Sequence, residues 1–116
     1  MFMEIINLKE TLPKLDVAIA QVEIEIDRYK KIPNTVLKVI HGHGSHGVGG
    51  VIRIDLRKRL YELKRMHKIV DYIEGELLTP TRLTEKNYPT KVYNQIYLDE
   101  DMLRLNPGVT FIIVNR

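Results

Sequence analysis

The chain has 116 residues, 44% hydrophobic and 28% charged, with a formal net charge of +3 and no cysteine. Such a composition excludes a disordered tail, a disulfide framework and thiolate chemistry. No apolar run approaches the roughly 18 residues of a membrane span, and Met1-Phe2-Met3-Glu4 carries no export signal, so the expectation is a single cytoplasmic domain over residues 1–116 with no membrane partner.

In chain order, Met3 to Leu8 reads as a short strand, and Thr11-Leu12-Pro13 opens a helix with Thr11 as cap and Pro13 in the first turn. Leu15, Ala18, Ile19, Val22, Ile26 and Tyr29 share one face of that helix, which Pro33 and Asn34 end. Val36 to Ile40 is a buried strand, and after the loop from His41 to Gly50 a second helical pattern runs from Val51 to Lys68. Ile69 to Ile73 is a third strand. Pro80, Asn87 and Pro89 mark Thr79 to Thr90 as a loop, with Lys91 to Leu98 as a strand and Asp99 to Leu103 as a helical turn. Asn106-Pro107-Gly108 turns the chain into Val109 to Val114, whose continuous apolar character suits a strand covered on both faces. The sum is a two-layer α/β sandwich of βαβαββ type.

The loop between the second strand and the second helix holds five glycines and three histidines, His41, His43 and His46. Glycines let the backbone approach a ligand, and the helix start offers unpaired N–H groups and partial positive charge, so the expected ligand is a phosphate. Gly42, Gly44, Ser45, His46 and Gly47 are its candidate contacts. On the helix, Ile52, Leu56, Leu60, Leu63 and Met66 share the core arc, with His67 at its edge as a structural histidine. Arg53, Arg57, Tyr61, Lys64 and Lys68 form another face, flanked by Lys58 and Arg65. A cationic row with a tyrosine suits a sugar-phosphate backbone; a merely solvated face has the same pattern.

Two further readings attach to the loop. Gly42-His43-Gly44-Ser45-His46-Gly47 fits the dinucleotide fingerprint G-x-G-x-x-G, with Glu74 as the ribose acid. Alternatively His41, His43 and His46 are metal ligands, although no carboxylate or cysteine stands near in sequence to complete a site.

Leu37-Lys38-Val39-Ile40-His41-Gly42-His43-Gly44, followed by a glycine-containing loop and a basic helix, resembles the Smr (small MutS-related) domain, in which a strand ends in His-Gly-Lys-Gly or a close variant. The resemblance extends back to Asp16-Val17-Ala18 and forward to Pro107-Gly108-Val109-Thr110-Phe111-Ile112-Ile113-Val114. It implies a fold similar to the C-terminal domain of bacterial translation initiation factor three, with binding to branched or structured DNA or to RNA. It also implies endonuclease activity in some members, assisted by magnesium or manganese. The family's first strand usually ends in Asp-Leu-His-Gly, where this chain has Asn7-Leu8-Lys9-Glu10. An acid and an imidazole are thereby missing, and binding survives the comparison better than cleavage.

The expectation is therefore a nucleic-acid-binding Smr-like domain. Any cleavage would be slow phosphodiester hydrolysis, a nicking in which His41 or His43 polarises the phosphate or shuttles a proton and Arg53 offsets charge. The alternatives are a catalytically inactive binding module and a dinucleotide-binding protein.

Overall fold

The computed structural model describes residues 3–11, 13–43 and 48–116. Four strands, β1 (Glu4–Asn7), β2 (Val36–Ile40), β3 (Asp71–Glu74) and β4 (Val109–Ile113), form one mixed sheet in the spatial order β1-β2-β4-β3. β1 and β2 run parallel, with Asn7 opposite Ile40, and β4 runs antiparallel to both its neighbours. β4 thus lies inside the sheet, as a mostly apolar run requires: all five residues are buried, Thr110 and Ile112 on one face and Val109, Phe111 and Ile113 on the other.

One face is covered by α2 (Leu15–Tyr29) and α3 (Val48–Arg65). Ala18, Val22 and Ile26 of α2 and Ile52, Leu56, Leu60 and Leu63 of α3 pack on Leu37, Val39 and Ile112, on the arcs that helical spacing predicts, except that Met66 lies past the end of α3 and is exposed. Each such side chain contributes roughly 1.5–3 kcal/mol by burial.

The other face departs from expectation. Thr79–Thr90 and Lys91–Leu98, which read as a loop and a strand, instead contain α4 (Pro80–Glu85) and α5 (Thr90–Tyr97). The Thr79 side chain accepts from the Arg82 backbone N–H at 3.2 Å, and Pro80 occupies the first turn, so the Thr-Pro pair starts a helix and not a loop. Leu83, Val92 and Ile96 bury against Val36, Ile73, Phe111 and Ile113. Val92 and Ile96 are four residues apart and share a helix face. With helices on both sides, the sheet is the middle of three layers, not one of two.

Two helix ends also correct the sequence reading. Asn7, not Thr11, is the first cap: its Oδ1 accepts from the backbone N–H groups of Lys9 and Glu10, starting the short α1 (Leu8–Thr11), and α2 begins after Lys14. α3 stops at Arg65 because His67 takes φ 59° and the Lys68 N–H reaches back to the Leu63 carbonyl at 2.9 Å, a left-handed C-terminal cap. His67, expected at the core edge, is exposed and serves that turn.

Lys38, the one charge within β2, is only 2% exposed. Its Nζ lies 2.7 Å from Asp101 and 2.9 Å from Asp99, joining β2 to the segment after α5. Burial opposes the ammonium charge, but the bonds to Asp101 and Asp99 outweigh it and hold the pKa above the usual lysine value. Among the described residues no helix is long and apolar enough to cross a membrane.

Candidate nucleic-acid interface

β1 and β2 end side by side at one edge of the sheet, where β4 begins. His41-Gly42-His43 leaves β2 there and is tied to the Asn106-Pro107-Gly108 turn, since the backbone N–H groups of His41 and Gly42 both donate to the Gly108 carbonyl at 3.0 Å. Gly42 has φ 76°, which glycine adopts without strain. A Cβ on Gly108 would stand 3.2 Å from His43 Cδ2 and 3.4 Å from Gly42 Cα, so the two turns meet at a distance that leaves little room for a side chain.

His41 is buried beneath this junction, 2% exposed. Its Nδ1 lies 2.6 Å from the Gly42 carbonyl and its Nε2 2.8 Å from Thr110 Oγ1. A carbonyl only accepts, so Nδ1 carries the proton and Nε2 accepts from the threonine hydroxyl. Thr110 Oγ1 in turn accepts from Arg57 Nε at 3.1 Å, and the Arg57 guanidinium forks onto both carboxylate oxygens of Glu76 at 2.7 and 2.8 Å. Burial pushes the His41 pKa down to about 4, opposed by the bond to Gly42 and assisted by the positive charges of Arg57 and Arg53. Burial would raise the Glu76 pKa, but the Arg57 bonds prevail and hold it below the usual range.

These contacts reassign several of the residues that the sequence nominates. His41 has both ring nitrogens engaged and is neutral at neutral pH, an arrangement that does not suit the acid–base role expected of it. Arg57 donates also to the Val109 carbonyl at 3.2 Å, which commits the guanidinium inside the fold and not to a phosphate. Lys64 is paired with Asp71 at 2.8 Å. Burial would raise the Asp71 pKa, but bonds from Lys64, Tyr88 and Lys86 lower it overall. Lys68 lies beyond the end of α3, in a separate cleft with Lys30 and His67.

Other candidates remain available. Arg53 is partly exposed, and its charge acts on both His41 and Glu76. Tyr61 is 56% exposed, and Lys58, Arg65 and His43 are exposed too. Among the described residues, Arg53, Lys58 and Arg65 make no ion pair. Gly44, Ser45, His46 and Gly47 lie outside the described residues.

Among the described residues, the donors at this edge do not fit a magnesium or manganese ion. Among the described residues no three His, Asp or Glu side chains converge as metal ligands, and the Asn7 amide oxygen caps α1. The dinucleotide reading has the wrong sheet neighbours: β4, antiparallel to β2, separates it from β3 and Glu74, whereas that fingerprint uses a neighbouring parallel strand.

Glu76 and Thr110 escape a reading of the sequence alone. A threonine inside an otherwise apolar strand is the legible signal, because a buried hydroxyl demands a partner. Comparison with known proteins finds no match: no protein-family model, no curated protein and no solved structure matches the chain.

Proposed function

We propose that this chain is a nucleic-acid-binding domain of Smr-like type that binds without cleaving. The observation that carries the reading is the division of labour along α3: Arg57 is spent inside the fold, while Arg53, Lys58 and Arg65 stay unpaired among the described residues, Lys58 and Arg65 lining one cleft with the exposed Tyr61. Unpaired cations around an aromatic ring suit phosphates and bases together. The junction of His41-Gly42-His43 with Gly108, next to the start of α3, supports an adjacent phosphate contact.

The fold similarity belongs to the same proposal. Setting aside α1, α4, α5 and the 3-10 turn at Gly75–Leu77 leaves the order β1-α2-β2-α3-β3-β4, in keeping with the βαβαββ arrangement of the C-terminal domain of translation initiation factor three. The α4-α5 pair is then an addition on the second face. What favours a binding module over a nuclease is the saturated His41, the capping role of Asn7 and the absence of a metal-ligand set among the described residues.

The test is a salt series on duplex DNA. Each neutralised phosphate contributes about −0.9 to the slope of log affinity against log salt, so an Arg53→Ala, Lys58→Ala variant should flatten the slope by about 2. Supercoiled plasmid with manganese should stay intact. An unchanged slope would remove α3 from the interface, and rapid relaxation would restore the nuclease reading.

A further inference from the structure

We infer that the cleft between α3 and the edge strand β3 is a stacking site for unpaired bases, so that single-stranded DNA or RNA is the preferred ligand over duplex. This rests on the nucleic-acid reading above and goes further by naming the form of the ligand. α3 presents Ile54, Lys58, Tyr61 and Arg65, spaced by three or four residues and hence on one face, and β3 presents Tyr72 and Glu74, spaced by two and hence on one side of the sheet. These six residues line one open cleft of 580 Å³.

The chemistry of the walls selects a base. Tyr61 is an exposed phenol ring with Ile54 about two turns before it, itself half exposed, and Tyr72 is partly buried against the core and so held in place. Two tyrosine rings lining one cleft, one of them held by the core, suit a flat π-system, and duplex DNA exposes no base faces to such a cleft. Of the other charged residues in the cleft, Arg57 is already bound to Glu76 and Glu62 to Arg59. Lys58 and Arg65 are exposed and, among the described residues, unpaired, one on either side of Tyr61 along the helix. That arrangement can hold the phosphates that flank a stacked nucleotide.

Glu74 gives the cleft a further preference. A carboxylate near phosphates is unfavourable unless it meets a donor, and the exocyclic amine of cytosine, adenine or guanine is one. Thymine and uracil present a carbonyl at the corresponding edge. Cytosine and thymine have the same ring size, so a comparison between them isolates the amine from the stacking.

The experiment measures binding of 12-nucleotide oligo(dC), oligo(dT) and oligo(rC), and of a 12-base-pair duplex, by fluorescence anisotropy at fixed salt. Expected are tighter binding of oligo(dC) than of duplex and a preference for oligo(dC) over oligo(dT) that shrinks in Glu74→Gln. Oligo(rC) tells which sugar is favoured, and binding of either oligo(dC) or oligo(rC) above duplex upholds the inference. Tyr61→Leu should weaken single-strand binding by about 5- to 150-fold, the loss for one stacked base, and weaken duplex binding by several times less. Tyr72→Phe, which keeps the ring and the packing, should retain affinity. Equal losses on single strand and duplex in Tyr61→Leu, or none on either, would overturn the inference. If duplex still binds with the salt slope given above, the nucleic-acid reading outlives it; if no nucleic acid binds, both fail.

Discussion

Thr110 holds its hydroxyl 2.8 Å from His41 Nε2, the imidazole nitrogen that is left to accept once Nδ1 donates to the Gly42 carbonyl. The hydroxyl donates to the ring and accepts from Arg57, so both its capacities are used inside the core. Thr110→Val keeps the shape and removes both bonds. It should lower stability by about 1–3 kcal/mol, the cost of leaving buried polar groups unpaired. Thr110→Ser, which keeps the hydroxyl, should recover most of that. Urea denaturation of the two variants and the parent makes the comparison, and equal midpoints for valine and serine would mean the hydroxyl contributes nothing.

His41 predicts a pH dependence. Its pKa is lowered from 6.5 to about 4, so the folded protein refuses a proton that the unfolded chain accepts. Stability is full above pH 6.5 and is lost as pH falls toward 4, by roughly 3 kcal/mol at most. In the same window the His41 ring C2–H resonance should not shift until pH approaches 4. Titration of that resonance near pH 6.5 in the folded state would show that the ring reaches solvent.

Arg57 and Lys58 are neighbours in sequence with opposite fates. Arg57→Lys keeps the charge but cannot reproduce the fork onto Glu76 together with the bonds to Thr110 and Val109, and should cost about 2 kcal/mol. It should leave the salt slope of DNA binding unchanged. Lys58→Ala should do the reverse, leaving the thermal midpoint in place and flattening the slope by about 1. Thermal denaturation paired with the salt series separates the two roles.

Lys38 lies between Asp99 and Asp101, with its ammonium 5.7 Å from the centre of the Phe111 ring. Lys38→Met removes the positive partner from two largely buried carboxylates and should destabilise by roughly 3 kcal/mol at neutral pH. Burial would raise the Asp101 pKa, but its bonds to Lys38 and Asn106 lower it overall, so the pairing contributes above the ordinary carboxylate range and is lost as pH falls through the lowered pKa. The penalty of Lys38→Met should therefore diminish in acid. A penalty constant down to pH 3 would place its origin in packing.

The helical periods of α2 and α3 and the apolar run of β4 are legible because burial on one face leaves a spacing in the sequence. α4 and α5 are not. Each is short, and Pro80 and Pro89, which here stand at helix starts, carry the same letters as loop punctuation. The cationic row on α3 is visible as a set of residues, but its division is not, because Glu76, Asp71 and Thr110 come from elements that only the sheet order brings to the helix. Lys38 does leave a signal: a lysine within an apolar strand needs acidic partners, and Asp99-Glu100-Asp101 is the densest acidic run in the chain.

The inner position of β4 bears on how the chain is made. Among the described residues β3 has no hydrogen-bonded neighbour except β4, and β2 is flanked by β1 and β4. During synthesis the first hundred residues emerge with β1 and β2 able to pair and β3 stranded, its Ile73 and the apolar faces of α4 and α5 without the Phe111 and Ile113 they pack on. β4 then closes both gaps at once, and Asn115 donates its side-chain amide to the carbonyls of Tyr29, Lys30 and Ile32 at the end of α2. A ribosome stalled before residue 109 would hold a nascent chain with its sheet incomplete, exposed to proteases and to strand exchange with other chains.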